Sequence, residues 1–277
     1  MTGASRGIGR EACLRLASLG ARVVMVGRDR ERTERARAEV AARSGSAAVS
    51  WLLCDFESQR DVRGLAAEFL ARHDRLHVLL NNAGGVNKAR RLTADGVEAT
   101  FAVNHLGYFL LTNLLQDALR RSAPARVVNV ASIGHRRGTL DFADLGFARG
   151  YSIMKAYARS KLANVLFSAE LARRLAGSGV TSNAVHPGAV DTNIWSGAPL
   201  WAKPVIALAL RPFFISVEKG AGPLVWLAAD PALDTVTGRY FERYKEVAPA
   251  PLAADAALAR RLWDESARLA GLPEAAA

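Results

Sequence analysis

Short β-branched and apolar runs at residues 22–26, 49–53, 78–80, 126–130, 181–185 and 238–241 alternate along this chain with longer stretches of helical spacing. That alternation constrains the fold more than any other feature. Each strand reaches its neighbour only by crossing a helix, which yields βαβ units and a parallel sheet covered on both faces. Between the first runs, Ile8, Ala12, Leu16 and Leu19 recur at helical spacing, as do Val62, Leu65, Ala66 and Phe69. No Gly/Ser linker breaks the alternation and no segment repeats. Residues 1–277 are therefore expected to form one doubly wound α/β domain, ending in an amphipathic helix over 252–270.

Composition excludes several classes. Half of the 277 residues are hydrophobic (50%), enough for a sizeable core and too many for a disordered chain. Cys13 and Cys54 stand far apart and form no Cys-x-x-Cys pair, so they are expected as small buried hydrophobes in a reducing compartment, with no metal site. The net charge of +11 suits a polyanion. However, the densest charged stretch, 28–43, interleaves Arg30, Arg32, Arg35 and Arg37 with Glu31, Glu34 and Glu39, as a solvated helix face does, so no nucleic-acid partner is expected. No run reaches the ~18 apolar residues of a membrane span. The nearest, 199–217, is broken by Lys203, Pro204, Arg211 and Pro212; no spanning segment and a cytoplasmic location are expected.

The chain opens on a glycine-rich turn, Gly3, Gly7 and Gly9, that runs directly into the first helical pattern. Glycines there permit a tight turn, let backbone N–H groups approach a pyrophosphate, and put that anion at a helix N-terminus. At the end of the next strand, a dinucleotide site needs a group that meets the adenosine ribose. An acidic residue there accepts from a free 2′-OH, whereas an arginine pairs with a 2′-phosphate. Arg28 comes first, and Arg6 lies inside the glycine turn, which favours NADP(H); Asp29 keeps NAD(H) open.

Tyr157 and Lys161 are four apart on a strongly helical stretch, so they share a face. Ser132 ends the strand at 126–130, and Asn104 starts another helical pattern. With these in place the chain resembles the short-chain dehydrogenase/reductase family, whose fold is of the Rossmann type, and most of all its retinol-dehydrogenase-like branch. The matching motifs are TGASRGIG at 2–9, Cys54-Asp55, NNAG at 81–84, VNHLGYFLLT at 103–112, VVNVAS at 127–132, YARSKLAN at 157–164 and HPGAVDT at 186–192. Ser132 and Tyr157 are 25 positions apart, the longer spacing of that branch.

The resemblance implies roles. Tyr157 exchanges a proton with the substrate oxygen while hydride passes to or from the nicotinamide. An ordinary tyrosine, with a pKa of about 10, is poorly placed for this. The Lys161 ammonium, with the positive nicotinamide ring of the oxidised complex, is expected to lower that value. Ser132 holds the substrate oxygen, and Asn104 fixes a water that links the lysine to solvent. Cofactor contacts are implied for Gly3, Ser5, Arg6, Gly7, Ile8 and Gly9, for Arg28, and for Asp55 at the adenine. Asn82, Ala83 and Gly84 belong with the adenosine ribose; Tyr157, Lys161, Pro187, Gly188, Val190 and Thr192 belong with the nicotinamide side. The competing reading of Asp55 is a helix cap. His135 and His186 have no partner at metal spacing and are not expected to bind one.

Three departures from the family pattern stand out. The family's first, central strand precedes the Thr-Gly turn, whereas Met1 stands directly before Thr2, so a gap or an edge with unpaired backbone groups is expected there. A start placed too late is the favoured explanation, over a short form with a damaged core. Ala131 replaces a common serine. The segment 195–217 matches no motif and, with Trp195, Trp201, Phe213 and Phe214, is expected to cover an apolar substrate. The function expected is NADP(H)-dependent interconversion of an alcohol and its aldehyde or ketone, as a carbonyl reductase or alcohol dehydrogenase, on a small lipophilic, retinoid-like molecule. A homodimer or homotetramer, paired through the helices that carry the tyrosine, is implied by the resemblance. The alternative is a truncated NAD(P)(H)-binding sensor or scaffold with little turnover.

Overall fold

The fold is that of a computed structural model, whose described residues are 1–190 and 215–273. Strands β1 (Val23–Gly27) and β2 (Val49–Leu53) pair in parallel. A second set runs in the order β3 (Val78–Asn81), β4 (Ala125–Val130), β5 (Val180–His186) and β6 (Tyr240–Glu242), all parallel, with β7 (Lys245–Glu246) added antiparallel. Every residue of β4 is buried, as expected of a strand covered on both faces. The short β7 has no alternation of its own and was not expected from the sequence.

The helices are α1 (Gly7–Ser18), α2 (Arg30–Ser44), α3 (Gln59–Arg72), α4 (Ala99–Phe101), α5 (Gly107–Leu114), α6 (Gln116–Arg121), α7 (Ile153–Arg174), α8 (Val217–Ala229) and α9 (Ala256–Leu269). Local chemistry sets their limits. Asp29 caps α2 by accepting from the Arg32 N–H, Gly45 ends it in a left-handed conformation, and Ser58 caps α3 by accepting from the Asp61 N–H. On the charged stretch, Arg43 pairs with Glu39 at 3.1 Å and Arg10 reaches the same carboxylate at 2.6 Å. Both cysteines are buried and free, and burial pushes the Cys13 thiol up to about 12.

Between β1 and β3 stand Met1 and Thr2, where the sheet falls into its two parts. The neighbours are not left bare as the sequence leads one to expect. The Val26 N–H donates to the Met1 carbonyl, the Met1 amino group to the Val24 carbonyl, and the Thr2 N–H to the Leu80 carbonyl. Thr2 extends the repair through its side chain, accepting at Oγ1 from the N–H groups of Asn82 (2.8 Å) and Ala83 (2.9 Å). Met1 and Thr2 thus hydrogen-bond to both β1 and β3.

α9 lies across α5 and α7. Trp263 meets Phe109 edge-on at 4.9 Å and stacks on Phe167 at 5.8 Å, while the Arg174 guanidinium covers the indole at 4.4 Å. α7 is buried almost throughout from Ala156 to Ala172. Of the expected cover at 195–217, residues 195–214 lie outside the described residues. Among the described residues, no helix is long and apolar enough to cross a membrane. Truncating the nearly buried Trp263 to alanine should cost about 3–5 kcal/mol of unfolding free energy in urea titration. A loss within about 0.5 kcal/mol, the size of an ordinary surface substitution, would show that α9 does not pack as described.

Candidate active site

The glycine turn is compact enough that side chains are excluded at Gly3 and Gly9. A Cβ on Gly3 (φ +63°) stands 2.8 Å from the Ala83 Cα, and one on Gly9 stands 2.3 Å from the Gly3 carbonyl oxygen. Asn82 holds the turn from the far side, donating through Nδ2 to the carbonyls of Thr2 (3.0 Å) and Gly3 (3.2 Å). Arg6 precedes α1 in extended conformation and gives it no side-chain cap, leaving its first N–H groups free of one. Such a turn fits a pyrophosphate. Val190 lies beside Ile8 across Gly220, which brings the segment after β5 up to the turn, and Gly188 (φ +108°) has no room for a Cβ against Ile215. Ser5, Gly7 and Pro187 lie on the same two segments; Thr192 lies outside the described residues.

At the ribose end, Arg6 and Arg28 are both exposed. The Arg28 guanidinium leans over an open groove of about 580 Å³, 3.9 Å from Asp55 and 3.8 Å from Glu57. A bidentate bond from Arg91 holds Glu57 below the usual carboxylate range. Asp29 is committed to capping α2, which leaves Arg28 foremost at this edge. Asp55 does not cap α3, whose cap is Ser58; it fixes a turn by accepting from the Glu57 N–H at 3.1 Å.

The other four residues meet at the C-terminal end of β4. Asn104 sits in a π-helical turn, Ala102–Leu106, inside a helical run that begins at Ala99, ahead of the start expected at Asn104. The widened turn frees its amide to bond both backbone groups of Gly85 at 2.9 Å and to donate to Ser160 Oγ at 3.0 Å. Gly84 backs it, with room for a Cβ only 3.2 Å from Asn104 Oδ1. Ser132 follows β4, and Gly134 leaves open the space between its hydroxyl and the Tyr157 ring; a Cβ there stands 3.4 Å from each. Lys161 is buried and donates through Nζ to the Val130 carbonyl at 2.9 Å, with the rings of Tyr157 and Tyr108 at 5.7 and 5.9 Å.

Burial raises the half-buried Tyr157 phenol above its ordinary value, and the Ser132 hydroxyl beside it opposes that rise. The expected lowering included the charge of an oxidised nicotinamide; in the protein by itself, desolvation outweighs the hydrogen bond from Ser132. Burial brings Lys161 down to about 8.

Sequence reasoning missed Val130, Ser160, Asn164, His105 and Tyr108. Asn164 shares the Val130 carbonyl with Lys161, and Tyr108 is fully buried with no partner for its hydroxyl among the described residues. All five lie within the VNHLGYFLLT, VVNVAS and YARSKLAN strings, which do not by themselves mark them out. His135 is structural: Nδ1 donates to the Ser132 carbonyl at 2.8 Å, and Nε2 accepts from the Ala250 N–H at 3.0 Å.

A glycine turn, a doubly wound sheet and a Ser-Tyr-Lys cluster at a strand end define a nucleotide-dependent oxidoreductase. The family model for short chain dehydrogenases matches residues 1–202, and the chain belongs to the short-chain dehydrogenase/reductase family, in its retinol-dehydrogenase-like part. Human retinol dehydrogenase 13 is 43% identical over 277 residues, covering 98% of this chain and 84% of that protein. Human retinol dehydrogenase 14 is 43% identical over 287 residues, covering 98% and 85%. Among solved structures, an uncharacterised protein from Mycobacterium paratuberculosis superposes with a TM-score of 0.80 at 32% identity, over 99% of this chain and 93% of that one. The Pseudomonas aeruginosa RhlG/NADP active-site complex gives 0.71 at 26% identity, over 93% and 94%. The chain is thus an oxidoreductase acting on CH–OH donors with a nicotinamide cofactor.

Lys161 titrates near 8 when folded, against an ordinary 10.5, so the unfolded chain binds the extra proton between those values. Stability contributed by this group therefore rises with pH across that window. The unfolding free energy of the wild type relative to Lys161→Met should climb from pH 8 to pH 10.5 in urea titrations; a flat or falling difference would contradict the burial of the ammonium.

Proposed function

We propose that this chain interconverts an alcohol and its aldehyde or ketone with NADP(H) in preference to NAD(H), on a lipophilic, retinoid-like substrate. The observation that carries this reading is the placement of the Ser132 hydroxyl against the Tyr157 ring, with the Lys161 ammonium held just beneath. The cofactor is held by the turn from Gly3 to Gly9, by Arg28 and Asp55 at the adenosine end, by Asn82, Ala83 and Gly84, and by the segment after β5. When bound, the nicotinamide supplies hydride for reduction and takes it up in oxidation.

The remaining chemistry belongs to side chains. Ser132 donates to the substrate oxygen and keeps it beside Tyr157. In reduction, Tyr157 gives its Oη proton to that oxygen; in oxidation, it takes the proton back. Lys161 supplies the positive charge that makes the phenolate reachable, and the Val130 carbonyl holds that charge in place. Asn104, fastened to Gly85 and Ser160, fixes the floor of the site on the side of α7.

Preference for NADP(H) is supported by the exposed Arg28, by the engagement of Asp29 as a cap, and by the NADP bound in the RhlG complex. The lipophilic substrate is supported by the retinol dehydrogenases among the relatives, and by Ile133 and Met154, two exposed apolar residues next to Ser132 and one turn before Tyr157.

Tyr157→Phe should lower kcat with NADPH and a lipophilic aldehyde by roughly 10²–10⁴-fold, the usual worth of a positioned acid. Unchanged turnover would remove Tyr157 from the reaction. Arg28→Ala should raise the KM for NADPH by about ten- to a hundredfold, the equivalent of a lost charge-assisted bond, and leave that for NADH nearly unchanged. An equal effect on both cofactors would show that Arg28 does not read the 2′-phosphate.

A further inference from the structure

His105 neighbours Asn104 in the π-helical turn and is completely buried. Its ring spans two elements: Nε2 lies 2.9 Å from the Ser266 hydroxyl on α9, and Nδ1 lies 3.3 Å from Asn164 Oδ1 on α7. Asn164 in turn donates through Nδ2 to the Val130 carbonyl at 3.2 Å, the oxygen that also accepts from Lys161 Nζ at 2.9 Å. A carbonyl oxygen can only accept, so the amide nitrogen of Asn164 must face it and its oxygen must face His105. The proton of the imidazole therefore sits on Nδ1, and Nε2 accepts from Ser266. Each donor in this run has an acceptor, and Ser266, His105 and Asn164 are all at most 1% exposed.

A neutral imidazole is what this run requires, and burial supplies it by bringing His105 down to about 4. The rings of Phe101, Phe109 and Phe167 surround it, at 4.9, 6.4 and 6.0 Å. At the inner end, the groups that share the field of Lys161 are Tyr157, Tyr108 and His186. An apolar residue at 105 would shape the same space among aromatics, but it would leave Asn164 Oδ1 unpaired in a dry interior. The amide would then be free to turn away from Val130.

We propose that His105 is a positioning residue which, with Asn164 and Ser266, keeps the Val130 carbonyl and the Lys161 ammonium in register with Tyr157, and so ties the seating of α9 to the reaction. The proposal rests on the reading of Tyr157 and Lys161 as the acid–base pair. It separates that pair from its support: His105 touches neither substrate nor cofactor, and its effect is on where the charge of Lys161 stands.

The test compares wild type with His105→Leu, His105→Asn and Ser266→Ala, using NADPH and one lipophilic aldehyde, across pH. Asparagine places an amide N–H near the position of Nδ1–H, so it keeps the bond to Asn164 and gives up the one to Ser266. His105→Leu should lower kcat roughly tenfold, as small misplacements near reacting groups do, with KM within about twofold, and should displace the pH profile of kcat. His105→Asn should recover most of that loss, and Ser266→Ala should displace the profile in the same direction by less. A loss that follows only the folded fraction, with an unmoved profile, or an asparagine no better than leucine, overturns the proposal. Should the leucine variant fail to fold, an unmoved profile for Ser266→Ala overturns it alone.

A second readout does not depend on turnover. Nitrogen-15 NMR of the wild type should show His105 neutral with its proton on Nδ1 from about pH 5 to 8. An Nε2–H tautomer or an averaged ring contradicts the proposal. A wild type that binds NADPH and turns over no carbonyl counts against the functional reading, and the NMR result then decides the support by itself.

Discussion

The carbonyl oxygen of Val130 is the point on which the site depends. It ends β4, one residue before the Ala131-Ser132 pair, and both of its lone pairs are engaged from α7, by Lys161 and by Asn164. A buried ammonium without an acceptor costs far more than a fold can spare. A carboxylate partner would hold Lys161 charged through any useful pH range. The neutral dipole of a strand end does neither: it anchors the side chain while leaving the group to titrate near 8. Strand, helix and the side chains of the candidate site are thereby fixed to one another, because Ser132 follows the same strand and Tyr157 lies one turn before Lys161 on α7.

The cofactor end depends on a different constraint, close backbone approach. Gly3 packs against Ala83, and Gly9 against Gly3, so closely that neither position has room for a side chain, and Thr2 and Asn82 lock the two segments with four hydrogen bonds. These same residues occupy the seam between the two parts of the sheet. Thr2 substitutes its hydroxyl for backbone groups there, so the seam and the pyrophosphate turn are supported by the same contacts.

Much of this was legible in the sequence because it is local. The alternation of short β-branched runs with helical spacing foretold the parallel sheet. The glycine turn, Asn104, Ser132, Tyr157 and Lys161 announced themselves by residue type and spacing. What was not legible depends on contacts between distant segments. His105 and Ser266 are 161 positions apart, and nothing in either neighbourhood points to the other. The π-helical turn that aims Asn104 leaves no mark in a pattern of apolar residues, and the neighbours of Met1 and Thr2 come from two different strands. The rise at Tyr157 in the protein by itself was not legible for a related reason: charges can be counted along a sequence, but desolvation depends on what packs around the phenol.

Hydride transfer between a nicotinamide and a lipophilic carbonyl is the central claim, and isotope tracing tests it most directly. The full chain would be incubated with a long-chain polyene aldehyde and NADPH deuterated at C4, in separate reactions for each face, and the alcohol product weighed by mass spectrometry. Direct hydride transfer puts one deuterium on the carbinol carbon from one face of the cofactor and none from the other, with the transfer abolished in Tyr157→Phe. An unlabelled alcohol, or label arriving equally from both faces, would contradict it.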